Sequence, residues 1–265
     1  MPEGHTVHRT SNLFNEAFEG KTLEVISPQG RFSNGAAALN GLIFEKAWAV
    51  GKQLFLNFET EETLRIHLGI YGKWTFGDFA ITPPEPVGQV RVRFFADGRF
   101  ADLRGPTACD LIELSQAVEI AAQLGPDPLN DDSASSERER FVSKAQSSSR
   151  AIGLLLMDQS VIAGVGNVYR AELLFRAGVN PYLQGNQVAD EKLRAIWLDA
   201  VKLMKVGVKT GIMITRDELL NKLPKKDDRY FVYKREGLPC RVCNATVSIA
   251  LMATRKLYWC QECQA

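Results

Sequence analysis

Four of the five cysteines in this 265-residue chain stand in two C-x2-C pairs near its end. Cys240 and Cys243 form the first pair, Cys260 and Cys263 form the second, and 16 residues separate the pairs. Four thiolates at this spacing can close a tetrahedral shell around Zn²⁺, with the intervening residues forming a hairpin. Because four sulfurs leave no open position for water, we predict one structural zinc ion. A redox role is the weaker alternative, since no thioredoxin-like pattern surrounds either pair.

The predicted hairpin is too poor in apolar residues to form a core of its own. Its tip carries Arg255 and Lys256 in the sequence "ATRK", and basic side chains on a rigid tip suit phosphate contacts. Charge along the chain points the same way. Residues 1–137 hold 11 basic and 19 acidic side chains, whereas residues 138–265 hold 21 and 12. A polyanion such as a nucleic acid would therefore prefer the second part of the chain.

Hydrophobic periodicity divides the chain into segments of different kinds. Apolar residues at helical spacing over residues 4–18 predict an opening helix that ends at Gly20. Short apolar runs from Thr22 to Leu103 predict several strands in a sandwich or barrel. The stretch "LGPDPLNDDSASS" reads as a linker, and helical segments are predicted beyond it, near 137–147, 150–158, 167–177 and 189–209. No apolar run reaches the roughly 20 residues of a membrane helix, so we expect a soluble cytoplasmic protein.

Asn167 follows two glycines, Gly164 and Gly166, at the predicted start of a helix. A helix start offers backbone N–H groups and a partial positive charge, which together with an amide side chain suit a phosphate. The alternative is that Asn167 only caps the helix.

Several further segments occur in one order along the whole length. They are "MPEG" at the start, "VGKQLFL" near 50, "HLGIYG" at 67, "DLRG" at 102, "LGPDPL" at 124, "LLMDQSVIAGVGNVYRAELLFRAGVNP" at 155, "VYKREGLPC" at 232 and "WCQECQ" at the end. In this order they resemble the formamidopyrimidine-DNA glycosylase and endonuclease VIII family of bacterial base-excision repair enzymes. "MPEGHTVHR", "HLGIYG" and "DLRGPTAC" further resemble its actinobacterial endonuclease VIII branch.

The resemblance implies an α+β multi-domain protein. It implies an N-terminal β-sandwich catalytic domain with an opening helix over 1–124, a linker over 125–136, a helix-two-turn-helix DNA-binding domain over 137–228 and a zinc-finger hairpin over 229–265. The implied partner is damaged DNA, bound by a monomer without any membrane contact. In the cell this implies a bacterial cytoplasmic enzyme that joins the nucleoid through DNA.

The resemblance also assigns catalytic roles. Removal of Met1 would leave Pro2 with a secondary amine, and an α-amino group titrates near about 7.7–8.0, so a useful fraction is neutral and nucleophilic at cellular pH. In the family this amine attacks the sugar of the damaged nucleotide, forms a Schiff base and cuts the strand by β,δ-elimination. Glu3 is expected to move protons at the sugar ring, and Lys52 to contact phosphate and help protonate the leaving base. Without the resemblance, Pro2 and Glu3 read as an ordinary first helical turn.

The remaining implied residues contact DNA. Asn167 and Arg255 match the phosphate-binding asparagine and the zinc-hairpin arginine of the family. Ile70 and Tyr71 match its intercalation loop and are candidate wedges for the space left by a flipped nucleotide. Arg104 is expected to retain part of a void-filling role.

Two departures from the family pattern bear on specificity. Thr6 stands where many members have a second acid, so a proton relay through that position is not expected. Gly105 and Pro106 replace two void-filling residues of the oxidised-purine enzymes, which favours oxidised pyrimidines. The alternatives are an oxidised-purine glycosylase, and a zinc-dependent protein that binds damaged DNA without catalysis.

Overall fold

The computed structural model describes residues 2–130 and 135–265. The chain folds into two compact units, Met1–Gln123 and Leu124–Ala265. Two predictions fall outside the described residues, namely the removal of Met1 and the part of the predicted linker at 131–134.

The first unit is a β-sandwich of two four-stranded antiparallel sheets. Its elements are α1 (Gly4–Phe18), β1 (Glu24–Ile26), α2 (Ser33–Leu39), β2 (Phe44–Val50), β3 (Gln53–Phe58), β4 (Glu62–His67), β5 (Lys73–Asp78), β6 (Val90–Ala96), β7 (Arg99–Arg104), β8 (Ala108–Glu113) and α3 (Leu114–Ala122). One sheet has the order β1-β6-β7-β5 and the other the order β2-β3-β4-β8. The prediction of a β-sandwich behind an opening helix is confirmed.

Helix α1 joins the core of the sandwich through its apolar face. Phe14 is fully buried, and its ring meets Trp74, Phe76 and Phe94 nearly edge-on at centroid distances of 4.8, 5.3 and 5.7 Å. Edge-to-face aromatic pairs add to the stabilisation that burial alone gives. The chain segment that carries Pro2 and Glu3 therefore leads into a helix that is fixed on the sandwich.

The second unit begins with helices and ends with a two-stranded hairpin. Its elements are α4 (Ser136–Gln146), α5 (Ile152–Leu155), α6 (Asn167–Ala177), α7 (Asp190–Thr210), β9 (Ser248–Met252) and β10 (Arg255–Trp259), with short 3₁₀ turns between them. Nearly every residue of α6 is buried, because α7 packs on one side of the helix and β10 on another. Gly178 ends α6 in the left-handed conformation, and the Val179 amide bonds to the Leu174 carbonyl at 3.0 Å.

Most sequence predictions of elements agree with these bounds. The helices predicted near 137–147, 167–177 and 189–209 are present, whereas only the four-residue α5 forms within 150–158. Helix α2 was not predicted, because its sequence "SNGAAAL" buries only Ala36 and Leu39 and shows little periodicity. No helix among the described residues is long and apolar enough to cross a membrane.

Candidate functional site

Glu3 lies at the N-terminal end of α1, directly after Pro2. It is the N-cap residue of the helix in an extended conformation, and its carbonyl accepts the Thr6 amide at 2.9 Å. Glu3 is fully buried, while Pro2 is half-buried. The helix dipole favours a carboxylate at this end of a helix. The N-cap position of α1 therefore holds an acid next to Pro2, the predicted nucleophile.

Asn15 fastens α1 to the edge strand β2 and was not singled out from the sequence. Its side-chain amide donates to the Ala47 carbonyl at 3.0 Å, and its side-chain oxygen accepts the Ala47 amide at 2.6 Å. These two bonds satisfy backbone groups that an edge strand would leave unpaired. They also fix the position of the helix that Glu3 caps.

Lys52 occupies the tight turn between β2 and β3, one residue before β3 begins. Gly51 supplies the positive φ of 58° that this two-residue turn needs. Across the sheet, Gln53 pairs with His67 at the end of β4. Burial lowers the pKa of His67, and the nearby charges of Lys52 and Arg65 lower it further. The structure thus brings Lys52 close to His67, which immediately precedes the loop of the wedge candidates.

Ile70 and Tyr71 project from the loop that follows His67. Their side chains are 45% and 85% exposed, which is unusual for large apolar residues next to each other. The loop is tight, because the Gly72 amide donates to the Leu68 carbonyl at 2.9 Å. This geometry presents two apolar side chains on a short, constrained turn.

The segment after β7 contacts the loop that carries Ile70 and Tyr71, which we call the wedge loop. The Thr107 amide donates to the His67 carbonyl at 2.8 Å. Gly69 has a φ of 64°, and a Cβ there would lie 1.9 Å from the Thr107 hydroxyl. Only glycine allows the two loops to approach this closely. The short segment after β7 therefore braces the wedge loop.

The Arg104 guanidinium, at the end of β7, donates hydrogen bonds to three acceptors. Its guanidinium donates to the Val87 carbonyl at 2.6 Å, to the Thr75 hydroxyl at 2.8 Å and to the Asp102 carboxylate at 3.2 Å. Asp102 in turn forms a buried bidentate pair with Arg93, at 2.6 and 2.9 Å. These hydrogen bonds give Arg104 a structural role, and its void-filling role stays a prediction.

Asn167 is the first residue of α6, and the N-cap residue is Gly166. The side-chain amide of Asn167 reaches the hairpin, where it donates to the Lys256 carbonyl at 2.9 Å. Arg170, which is buried, donates to the Asn167 side-chain oxygen at 2.5 Å and to the same carbonyl at 3.1 Å. These bonds place the start of α6 against the residue after Arg255. Two residues that sequence analysis assigned to phosphate binding are thus neighbours in the fold.

Glu172 joins α6 to the segment before the first cysteine pair, and sequence analysis missed it. It is fully buried and accepts the backbone amides of Phe231, Val232 and Tyr233 at 2.8, 2.9 and 2.8 Å. The Thr215 hydroxyl also donates to it at 2.5 Å. An acid inside an apolar helix, "AELLF", is the only local sign of this role.

The four predicted zinc ligands lie together, and their sulfur atoms are all within 4.8 Å of one another. Cys240 and Cys263 sulfurs are 3.9 Å apart, and those of Cys243 and Cys260 are 3.4 Å apart. A tetrahedral shell with Zn–S bonds of about 2.3 Å separates its sulfurs by about 3.8 Å. The cluster therefore fits a tetrahedral metal ion. The Gln264 side chain accepts the Cys260 amide at 3.0 Å and donates to the Val179 carbonyl at 3.0 Å, which ties the cluster to the end of α6.

Comparison with known proteins covers both units. The sequence model described as the formamidopyrimidine-DNA glycosylase N-terminal domain matches residues 1–109, and the one described as the formamidopyrimidine-DNA glycosylase H2TH domain matches residues 124–218. Endonuclease 8 1 of Mycobacterium tuberculosis is 44% identical over the full length of both chains. Formamidopyrimidine-DNA glycosylase of Thermus thermophilus is 30% identical over all of this chain and 98% of its own.

The fold is also similar to that of solved structures. The Fpg protein of Lactococcus lactis, in a complex with DNA containing an abasic site, superposes with a TM-score of 0.81 over 99% of each chain. At 20% sequence identity this similarity establishes the fold.

Proposed function

The chain belongs to the formamidopyrimidine-DNA glycosylase and endonuclease VIII family, and we propose that it excises oxidised pyrimidines and cuts the strand through a Schiff base on Pro2. It is a DNA glycosylase and abasic-site lyase of base-excision repair. The observation that carries the proposal is the N-terminal end of α1, where the buried N-cap residue Glu3 directly follows the half-buried Pro2.

The proposed nucleophile is the secondary amine that Pro2 has once Met1 is removed. Its nitrogen forms a bond to C1′ of the damaged nucleotide as the bond from C1′ to the base breaks. Opening of the sugar between C1′ and O4′ then gives an iminium ion. Loss of a proton from C2′ breaks the C3′–O bond, and a second elimination breaks the C5′–O bond. The covalent intermediate divides one difficult reaction into easier steps.

Glu3 and Lys52 are proposed to transfer protons and to balance charges during these reaction steps. The Glu3 carboxyl donates a proton to O4′ during ring opening and, once ionised, balances the iminium charge. Lys52 contacts the neighbouring phosphate and helps to protonate the departing base. Its place in a tight turn beside His67 supports this role, because the turn limits the positions of the ammonium group.

Ile70 and Tyr71 are proposed to occupy the space that the flipped nucleotide leaves. Flipping costs a few kcal/mol of stacking and pairing, and apolar wedges offset part of it. The exposure of both side chains and the bracing of their loop by Thr107 support this assignment. Arg104 is not included, since its guanidinium bonds within the sheet.

Asn167 and Arg255 are proposed to bind phosphates of the same DNA. Their support is the hydrogen bond between the Asn167 side chain and the Lys256 carbonyl, which sets Arg255 beside the start of α6. Zinc on the four cysteines would hold the hairpin that presents Arg255. When bound, the ion supplies structure and takes no part in the reaction.

A preference for oxidised pyrimidines is supported by the short segment after β7. Gly105 and Pro106 offer no long side chain to fill the duplex, and the adjacent Arg104 is held in its sheet. The full-length similarity to a protein named endonuclease 8 supports the same preference.

Borohydride trapping on abasic DNA tests the covalent step. The wild-type protein should form a crosslinked complex, and Pro2→Gly combined with Glu3→Gln should not. A wild-type protein that binds the DNA but is never trapped would indicate a non-catalytic damage-binding protein. Intact mass of the purified protein establishes whether Met1 is removed. Cleavage of duplexes carrying thymine glycol or 8-oxoguanine then decides between oxidised pyrimidines and oxidised purines.

A further inference from the structure

A cavity of about 310 Å³ opens beside the hairpin tip in the second unit. Three arginines and one aspartate contribute its charged lining, namely Arg150, Arg170, Arg255 and Asp158. Leu154 and Met157 form part of its apolar wall. Three positive charges against one negative charge favour an anion in this cavity, and the fork of a guanidinium suits phosphate oxygens in particular.

The three arginines differ in how their guanidinium groups are engaged. Arg170 is buried and donates to uncharged oxygens of Asn167, Lys256 and Gly153, so its charge stays within the cavity wall. Across residues 2–130 and 135–265, no hydrogen bond or ion pair holds the Arg255 guanidinium. Arg255 can therefore turn all of its donors to a ligand.

Arg150 pairs with the only acid in the cavity lining. Its Nη1 lies 2.7 Å from Asp158 Oδ2, and the two side chains are 54% and 27% exposed. Partly exposed pairs of this kind contribute little to stability, so an arriving anion can take over the guanidinium. The backbone of Arg150 is fixed, because its carbonyl accepts the Gly185 amide at 2.9 Å. Asp158 is fixed as well, since it accepts the Ser160 amide and hydroxyl at 3.0 and 2.7 Å.

We propose that this cavity binds a backbone phosphate of the DNA, and that Arg150 exchanges Asp158 for that phosphate on binding. The inference rests on the proposed function, because it places the phosphate between Arg255 and Arg150. Leu154 and Met157 would pack against the attached deoxyribose, which a free phosphate ion lacks. Arg150 thus becomes a DNA-binding residue, and Asp158 a competitor that lowers affinity for anions until DNA arrives.

Binding to a duplex with a non-cleavable abasic analogue, measured over a range of salt, tests the proposal. Arg150→Gln should weaken binding roughly tenfold near 0.1 M salt and reduce the salt slope by about one. Asp158→Asn keeps an oxygen for Ser160 but removes the competing charge, so it should tighten binding at least about twofold. The matched control is Arg140→Gln, another half-exposed arginine in an ion pair, which is not part of the cavity lining. It should match the wild type.

The outcomes separate this inference from the proposed function. If Arg150→Gln and Asp158→Asn both bind DNA like the control with an unchanged salt slope, the cavity does not bind DNA phosphate. A second experiment compares the thermal stability of the protein in inorganic phosphate with its stability in chloride at equal ionic strength. A phosphate effect that needs Arg150, without any change in DNA binding, would reassign the cavity to free anions and overturn the proposal. Borohydride trapping by the Arg140→Gln control should match that of the wild type, whereas failure of the proposed function would abolish trapping in the wild type itself.

Discussion

The side-chain amide of Asn167 donates a 2.9 Å hydrogen bond to the backbone carbonyl of Lys256, 89 residues further along the chain. Arg170 donates to the same carbonyl at 3.1 Å. The first turn of α6 and the first residues of β10 therefore form one unit. We therefore expect the binding of a ligand by Arg255 to depend on this hydrogen bond.

Replacement of Asn167 tests that dependence. Asn167→Ala should lower the free energy of unfolding by about 1–2 kcal/mol, because it leaves buried partners without their bond. It should also weaken binding to abasic DNA, since Arg255 loses its support. Chemical denaturation and fluorescence anisotropy measure the two effects. Asn186→Ala, which removes an exposed amide from the same unit, is the control and should change neither. Equal DNA affinity in Asn167→Ala and wild type would contradict the dependence.

Zinc removal should abolish DNA binding by the second unit while the first unit stays folded. The buried core of the first unit consists of residues between Val7 and Cys109, with Leu111 packed against it, so the loss of metal from the hairpin should leave the sandwich folded. We expect Cys260→Ser to lose bound zinc and DNA affinity, while hydrogen exchange in β2, β3 and β4 is unchanged. Metal analysis and anisotropy provide the readouts. Cys109→Ala, which alters the buried cysteine of the first unit, should retain its zinc. DNA affinity that survives metal loss would show that the hairpin tip is unnecessary.

His5 should make stability depend on pH below neutrality. Burial is the main cause that lowers its pKa from 6.5 to about 4. Between these values the unfolded chain binds the proton and the folded chain does not, so stability falls as pH falls from 6.5 to about 4. The loss attributable to His5 is at most about 3 kcal/mol, and the residue contributes nothing above that window.

The measurement is urea denaturation of wild type and His5→Gln over that pH window. Carboxylates titrate in both proteins, so their effect cancels when the two are compared. The free energy of unfolding of His5→Gln should therefore depend less steeply on pH than that of the wild type. Asn12→Gln, which changes an exposed residue without a titratable group on the same helix, should keep the wild-type slope. Parallel slopes in wild type and His5→Gln would show that His5 is protonated in the folded protein.

Glu172 should be one of the most sensitive positions for stability. Its carboxylate accepts three consecutive backbone amides, and Gln would turn a donor towards at least one of them. We expect Glu172→Gln to lower the free energy of unfolding of the second unit by about 2–4 kcal/mol. Glu191→Gln, an exposed acid on α7, should change it by less than about 0.5 kcal/mol. If Glu172→Gln left the free energy of unfolding unchanged, the segment at 231–233 would be held by its other contacts alone.

Local patterns in the sequence were sufficient for features whose determinants lie close together in the chain. The cysteine spacing predicted the hairpin, and helical periodicity predicted α1 with bounds that the structure reproduces. Contacts over long separations gave no such signal. Glu172 and Tyr233 are 61 residues apart, and nothing near either one indicates the other.

Arg104 illustrates the same limit from the opposite direction. The resemblance gives Arg104 part of a void-filling role, which stays a prediction, while its guanidinium donates to Thr75 on β5 and to Val87 in the segment before β6. The pairing of β5 with β7 brings Thr75 close to Arg104, and no local pattern in the sequence indicates this contact. The catalytic roles of Pro2 and Glu3 remain predictions, because a reactive amine and an ordinary first helical turn have the same local sequence.

Tyr71 should matter for duplex DNA and not for stability. Its side chain is 85% exposed, so Tyr71→Ala should change the free energy of unfolding by less than about 0.5 kcal/mol. A wedge acts only where a stack must be filled, so base excision from duplex DNA should slow roughly 10- to 100-fold while excision from single strands is unchanged. Single-turnover kinetics on matched duplex and single-stranded substrates provide the measurement. Ile81→Ala, an exposed apolar residue of the same unit, should leave both rates unaltered. Equal slowing on both substrates would assign Tyr71 to lesion contact and remove it as the wedge.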